Sequence, residues 1–383
     1  MMRGLNDADI EDKIVFLRVD WNVPLERGEI LDDNRIRATI PTIEFLQSRN
    51  CKIIIGTHIG RPDGEVVPQL STKILAKRFS EFSKEKVYAT DYVIESAVKK
   101  QVNALRPKQI LVLGNLRWYA EEEQNNFSFA RILAGYADIY VNDAFAVSHR
   151  AHASVEAISN FLPSYAGLLL EKEVVTLATL TDSPRQPFVL VLGGAKIKEK
   201  VGVIKKFAAI ADKILIGGAI ANTLRYFNGQ EVSASTFEAN LADTVEQVSE
   251  IAKDKIVLPS DDKRKNLENN RFSILDIGPK TIEDFKKYIS EAKTIFWNGN
   301  MGYSEDREFE DGTLEIAQAI RSNQFIKIIA GGDTVGFVNS HNINSGFTFI
   351  STGGGATLEF LAGVELPGLK VLGYYDKEMP KFE

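Results

Sequence analysis

Cysteine is almost missing from this chain of 383 residues: its single thiol, Cys51, can form neither an internal disulfide nor a cysteine cluster for zinc. It sits in the apolar run Cys51-Lys-Ile-Ile-Ile, the setting of a buried, unreactive thiol. No segment approaches the ~18 consecutive apolar residues of a membrane helix, and the opening MMRGLNDADIEDK lacks the apolar stretch of a signal peptide. Positive charge is in deficit, with 46 Lys+Arg against 52 Asp+Glu and a net charge of −6, a balance that does not favour nucleic acid. Two nucleotide signatures are missing as well. No Gly-Lys dipeptide occurs, which removes the Walker A loop, and no Gly-x-Gly-x-x-Gly occurs, which weakens a dehydrogenase reading. Low-complexity segments and short-period repeats are lacking, which argues against a solenoid. The expectation is a soluble, cytoplasmic protein with neither nucleic acid nor membrane as partner. Any positive charge that holds an anionic substrate must then be local.

What is present is an ordinary globular composition, 44% hydrophobic and 26% charged, long enough for two domains. Short β-rich runs alternate with amphipathic segments, the pattern of an α/β protein with parallel sheets. Strands are expected at Ile14–Val19, Lys52–Thr57, Ile110–Leu113 and Asp138–Asn142, with helices over Arg35–Arg49 and Ser71–Phe82. In the second half strands are expected at Phe188–Leu192, Ile214–Gly217, Lys255–Leu258, Thr294–Trp297, Ile326–Ala330 and Thr348–Ile350. The fold class is therefore α/β: two Rossmann-like three-layer α/β/α domains with mainly parallel sheets, joined by a hinge helix over Glu171–Leu180. The division is expected at 1–168 and 169–369, with the tail 370–383 packing back on the first domain.

Ligands of open α/β sheets bind beyond the carboxyl ends of the strands. In the first half those segments are Arg18-Val-Asp20-Trp21-Asn22, His58-Ile59-Gly60-Arg61, Gly114-Asn115-Leu-Arg117 and Asn142-Asp143 through His149-Arg150-Ala-His152. Each carries an arginine, the residue suited to bidentate recognition of phosphate or carboxylate. Any one alone reads as surface charge; four at equivalent strand ends favour an anionic, phosphorylated small molecule. Arg35 follows Asp32-Asp33-Asn34, an N-capping cluster that puts it near a helix start. His149 and His152 could face a metal beside Asp143, but without further ligands structural hydrogen bonding is the better reading.

Strand ends in the second half are glycine-rich instead: Gly193-Gly194-Ala-Lys196 with Lys200, Gly217-Gly218, Gly331-Gly332-Asp333-Thr334 and Gly353-Gly354-Gly355. Gly-Gly often marks only a tight turn. Its recurrence after four strands, with lysines and one aspartate interleaved, favours a nucleotide site, since backbone amides at helix starts approach phosphate oxygens. Asp333 could hold Mg²⁺ through the nucleotide phosphates.

These motifs, with Trp297-Asn298-Gly and Ser351-Thr-Gly-Gly-Gly-Ala, resemble phosphoglycerate kinases, in the family's order from about Lys13 to about Gly373. The chain departs from that pattern at Trp21 (usually Phe), Gly114 (Glu), Ala146 (Gly), Asn300 (Pro) and Ala330 (Gly). The resemblance implies reversible phosphoryl transfer between 1,3-bisphosphoglycerate with ADP and 3-phosphoglycerate with ATP, Mg²⁺ accompanying the nucleotide, no organic prosthetic group, and a monomer. By the same resemblance Arg61, Arg117 and Arg150 would hold the 3-phosphate. Asp20, Trp21, Asn22, His58, Ile59 and Gly60 would line the glycerate site, and Arg35 would meet the reacting carboxyl. Lys196, Lys200 and Gly354 would act on the phosphoryl group. Gly217, Gly218, Asn298, Glu305, Gly331, Gly332, Asp333 and Thr334 would contact the nucleotide, with Asp333 toward the metal. A kinase for another phosphorylated carboxylic acid, or a non-catalytic nucleotide-binding paralogue, stand as alternatives.

Overall fold

The computed structural model describes residues 2–376 apart from Lys253. The chain divides into two compact units, Met1–Val175 with Glu365–Glu383, and Thr176–Val364. Sixteen strands are present among the described residues. In the first unit they are β1 (Ile14–Arg18), β2 (Leu25–Glu26), β3 (Glu29–Ile30), β4 (Lys52–Gly56), β5 (Val87–Ala89), β6 (Ile110–Val112), β7 (Ile139–Asn142) and β8 (Ser164–Ala166). In the second they are β9 (Phe188–Leu192), β10 (Lys213–Ile216), β11 (Ile256–Val257), β12 (Asp262–Asn266), β13 (Phe272–Ile277), β14 (Thr294–Asn298), β15 (Ile326–Ala330) and β16 (Phe349–Ile350).

Each unit is built on one six-stranded sheet, in the orders β5-β6-β4-β1-β7-β8 and β11-β10-β9-β14-β15-β16. Every pairing within the two sheets is parallel. Among the described residues antiparallel pairing is confined to the hairpins β2-β3 and β12-β13. Alternation along β1 explains why a sheet covered on both faces needs a continuous apolar run: Val15 and Leu17 enter one core, Phe16 the other. In the second unit Val189, Val191, Ile295 and Trp297 share one core in the same way.

The helix expected over Arg35–Arg49 is two helices, Asn34–Ala38 and Ile40–Ser48, separated at Thr39. Pro41 supplies no backbone N–H, so it stands in the first turn of a new helix rather than inside a long one. Thr39 Oγ1 donates to Ile36 O at 2.8 Å and accepts the indole N–H of Trp21 at 3.0 Å. Asp33 occupies the N-cap position but its side chain caps nothing; its carboxylate pairs with Arg37 and Arg78. Asp32 takes the turn instead, its Oδ1 accepting Asn34 N at 2.8 Å.

The helix Leu168–Asp182 carries the chain from the first unit into the second. It begins earlier than the expected Glu171 because Asp143, after β7, accepts the amides of Leu169 (2.9 Å) and Leu170 (3.1 Å) on Oδ1. After Glu365 the chain returns to the first unit, where Arg3 bonds the carbonyls of Val371 and Leu372. The end of the expected tail segment, residues 377–383, lies outside the described residues. Among the described residues no helix is long and apolar enough to cross a membrane.

Candidate active site

In the first unit the loops after β1, β4, β6 and β7 meet around a set of cationic side chains. Asp20 is buried, pairs with the guanidinium of Arg35, and accepts Asn22 N at 3.2 Å. Asn22 Oδ1 accepts Gly60 N at 2.9 Å, which ties the β1 loop to the β4 loop. Arg117 is buried, donates to Gly60 O at 3.3 Å and faces Glu123 at 3.3 Å. Arg61 and Arg150 are exposed and pair with no carboxylate among the described residues; Arg150 Nε donates to His149 Nε2 at 3.2 Å.

His58 is buried with Nδ1 3.4 Å from Arg18 and 3.8 Å from Asp20. Burial, reinforced by Arg18, Arg117 and Arg35, holds its pKa well below the ordinary histidine value, so the ring is neutral at pH 7. His149 is pushed down to about 4 by burial together with Arg150 and Arg117, and His152 to about 3 by burial together with Arg18, Arg117 and Arg150. Neutral imidazoles here keep the positive charge on the arginines. Among the described residues no cluster of three metal-ligating side chains exists, and Asp143 serves the helix start rather than a metal beside these histidines.

Three expected contributors stand differently from the rest. The indole of Trp21 is fully buried, 5.2 Å from Phe79 between ring centroids, and Ile59 is buried in the same core. Their side chains brace the loop that presents Asp20, Asn22 and Gly60. Arg18, expected at the strand end with the other arginines, is also fully buried and turned to partners within the unit. Its Nε donates to Ser154 Oγ at 2.8 Å, and another N–H goes to Val19 O. Ser154 Oγ in turn donates to Glu122 Oε1 at 2.5 Å and its amide to Oε2 at 2.9 Å, while Arg18 and Glu122 lie 3.9 Å apart. Burial pushes the Glu122 carboxyl up and Arg18 opposes it. This Arg18–Ser154–Glu122 triad is distributed along the sequence with no spacing signal; it becomes visible only when the fold assembles it.

In the second unit the strand ends make two adjoining cavities. One, of ≈270 Å³, is lined by Lys196, Lys200, Asn298, Gly331–Thr334 and Gly354. The other, of ≈310 Å³, is lined by Gly218, Asn222, Arg225, Met301, Tyr303 and Glu305 among others. Gly194, Ala195 and Asp333 line both, so the two are continuous. Their floor is a mesh of backbone bonds: Gly193 N to Asn298 O (3.0 Å), Gly194 N to Asn300 O (2.8 Å) and Gly218 N to Met301 O (2.7 Å). A Cβ at Gly193 would collide with the carbonyl oxygen of Asn300, so this floor closes only with glycine. Gly217 caps the helix Gly218–Phe227 and is buried beneath the cavity rather than lining it. Asn298 Nδ2 donates to Ala330 O at 2.8 Å, and Thr334 Oγ1 accepts Gly299 N at 2.7 Å.

The two lysines differ sharply. Lys200 is 6% exposed, and burial lowers its pKa against the opposing pull of Glu199, Asp333 and Glu238. Lys196 has a side chain 66% exposed and an ion pair with Glu199 at 3.3 Å. Asp333, at the start of the helix Gly332–Ser340, is exposed and forms no ion pair among the described residues. A lone carboxylate where both cavities meet fits a magnesium ion that takes most of its ligands from phosphate and water. Asn222, Arg225 and Asp276 were not legible as site residues. Arg225 pairs with Asp262 at 3.1 Å, and Asp276 accepts Gly312 N at 2.7 Å with burial raising its carboxyl to about 6.

A group of arginines at the strand ends of one unit and a glycine-floored cavity with a buried lysine in the other are the features expected of one class, an α/β phosphotransferase without a P-loop. Comparison narrows it. The family model described as phosphoglycerate kinase matches residues 5–364. The phosphoglycerate kinase of Leptospira biflexa is 42% identical, over 96% of this chain and 97% of its own, and that of Coprothermobacter proteolyticus 40% identical, over 97% and 98%. The solved phosphoglycerate kinases of Coxiella burnetii and Pyrococcus horikoshii each superpose with a TM-score of 0.84 at 31% identity. They cover 98% and 97% of this chain and 100% and 98% of theirs. The chain belongs to the phosphoglycerate kinase family. Its chemistry is accordingly phosphoryl transfer to a carboxyl group, between 1,3-bisphosphoglycerate with ADP and 3-phosphoglycerate with ATP.

Proposed function

We propose that the two half-sites divide this reaction, the first unit holding the phosphoglycerate and the second the nucleotide. The observation that carries the division is the distribution of uncompensated charge: Arg61 and Arg150 have no carboxylate partner among the described residues, and the second unit offers glycine amides beside Lys200. Arg61, Arg117 and Arg150 take the 3-phosphate, and Asp20, Asn22 and His58 orient the glycerate. An unphosphorylated acid would leave the three arginines without a ligand, which disfavours a kinase for such an acid.

The acceptor is a carboxylate with an unperturbed pKa near ~3.5, ionised at neutral pH, so no general base is needed. Catalysis reduces to alignment and neutralisation of the charge on the equatorial oxygens of the transferring group. Arg35 meets the carboxyl and then the migrating phosphoryl group. Lys200, desolvated and close to Asp333, faces the nucleotide phosphates, and the amides after Gly354 receive the group in flight. Asp333 would hold magnesium together with the nucleotide, and there the ion would supply neutralisation of phosphate charge. Gly218 borders the base and Glu305 the ribose.

Because the half-sites belong to different units, transfer calls for the helix Leu168–Asp182 to act as a hinge that brings both ligands to one centre and excludes water. The enzyme acts as a cytoplasmic monomer. A coupled assay with 3-phosphoglycerate, ATP and magnesium, each omitted in turn, tests the reading. Turnover that persists without 3-phosphoglycerate, or fails with all three, contradicts it.

A further inference from the structure

Among the described residues two buried carboxamide oxygens in the second unit, Oδ1 of Asn222 and Oδ1 of Asn300, have no hydrogen-bond partner. Both residues line the same ≈310 Å³ cavity, 2% and 8% exposed. Unpaired buried acceptors are rare because desolvation without a replacement bond costs free energy. Two in one cavity indicate that something else supplies the donor.

The two amides are not equivalent. Asn300 Nδ2 meets Ser304 Oγ at 2.6 Å, and a hydroxyl can donate or accept, so that carboxamide can turn to present either atom. Asn222 has no such freedom. Its Nδ2 donates to the backbone carbonyl of Thr236 at 3.3 Å, and a carbonyl only accepts. The atom left over is therefore an acceptor, on a side chain anchored within the helix Gly218–Phe227, whose first residue lines the same cavity.

We propose that Asn222 is a specificity-determining residue that accepts a hydrogen bond from the exocyclic amine of a 6-aminopurine nucleotide. The inference rests on reading this cavity as the nucleotide site. A 6-oxopurine such as hypoxanthine turns a carbonyl oxygen toward the same place, acceptor against acceptor. A site built around one hydrogen bond rejects the analogue that cannot make it more strongly than it rejects a change of apolar size.

The test is calorimetric titration of the full-length protein with ADP and with IDP, which differ at this position of the base. The unmodified protein is expected to bind ADP at least about 10-fold more tightly than IDP. Asn222→Leu is expected to weaken ADP about 10-fold and leave IDP within about twofold, so that the preference disappears. Asn222→Ala, which removes the acceptor without adding apolar bulk, is the second variant and is expected to behave alike. An undiminished ADP preference in both variants overturns the proposal, as does an unmodified protein that does not discriminate, or equal loss of both ligands in both variants. Failure of the unmodified protein to bind ADP at all would instead remove the nucleotide reading on which the proposal rests.

Discussion

Asp20 holds the guanidinium of Arg35 with one carboxylate oxygen and the backbone amide of Asn22 with the other. A single buried carboxylate thus fixes both the cation proposed to meet the reacting carboxyl and the loop that binds Gly60. Arg35→Ala should lower kcat by at least about 100-fold while leaving the affinity for either substrate within a few-fold, since its main contact forms with charge that develops during transfer. Asp20→Asn should lower kcat less and raise the KM for 3-phosphoglycerate more. Steady-state kinetics on the two variants separates the roles; an unchanged kcat in Arg35→Ala removes its catalytic assignment.

The lysines give a sharper contrast than their shared motif suggests. Lys200 is buried at the ≈270 Å³ cavity, whereas Lys196 is largely exposed and paired with Glu199. Lys200→Ala is expected to cost about 100-fold or more in kcat, and Lys196→Ala under about 10-fold, because an ammonium in a desolvated setting interacts more strongly with phosphate than one screened by water. Equal losses would mean that Lys196 leaves Glu199 during the reaction.

Gly354 caps the helix Gly355–Leu361 with φ of +54° in otherwise open space. A side chain there meets no steric wall, only the backbone penalty of a φ of +54° with ψ of −120°, a pair that residues with a Cβ rarely adopt. Gly354→Ala should therefore destabilise the protein by about 1–3 kcal/mol while lowering kcat more than that loss accounts for. Thermal denaturation and kcat measured together decide whether the turn serves the reaction or only the fold.

Much of this architecture was legible in the sequence. Phe188–Leu192 and Ile326–Ala330 form the strands expected from their apolar runs, because strands buried on both faces must be continuously apolar. The strand β12, Asp-Lys-Arg-Lys-Asn, carries no apolar residue, and its pairing with β13 leaves no trace in hydropathy. Three-residue β5 and β8 are too short to show a period. In the site, charged residues at strand ends were readable because the fold class fixes where ligands go. The Arg18–Ser154–Glu122 triad and the cavity wall of Asn222 and Arg225 were not, since each depends on contacts between segments far apart in the chain. Arg18 looks like its neighbours in sequence and differs in being fully buried, with its guanidinium turned to Ser154 and Val19.

Asp143 supplies a pH test. Burial raises its carboxyl to about 6, above the unperturbed 3.8, so the folded protein binds this proton more tightly than the unfolded chain. That contribution to stability is complete below about pH 4 and is lost as pH rises through about 6, with a ceiling near 3 kcal/mol. Asp143→Asn keeps an acceptor for the amides of Leu169 and Leu170 and removes the charge. Urea denaturation should find the variant gaining on the unmodified protein between pH 4 and 7, and a constant difference across that range would mean that the carboxylate is stabilised in a way burial does not convey.

The most direct test of the central claim is chemical trapping of the acyl phosphate. With ATP, magnesium, 3-phosphoglycerate and hydroxylamine, the protein is expected to accumulate the hydroxamate of 3-phosphoglycerate in step with ADP, and Arg35→Ala to form almost none. ADP released without hydroxamate, or hydroxamate formed equally by Arg35→Ala, would contradict transfer to the carboxyl group under the control of Arg35.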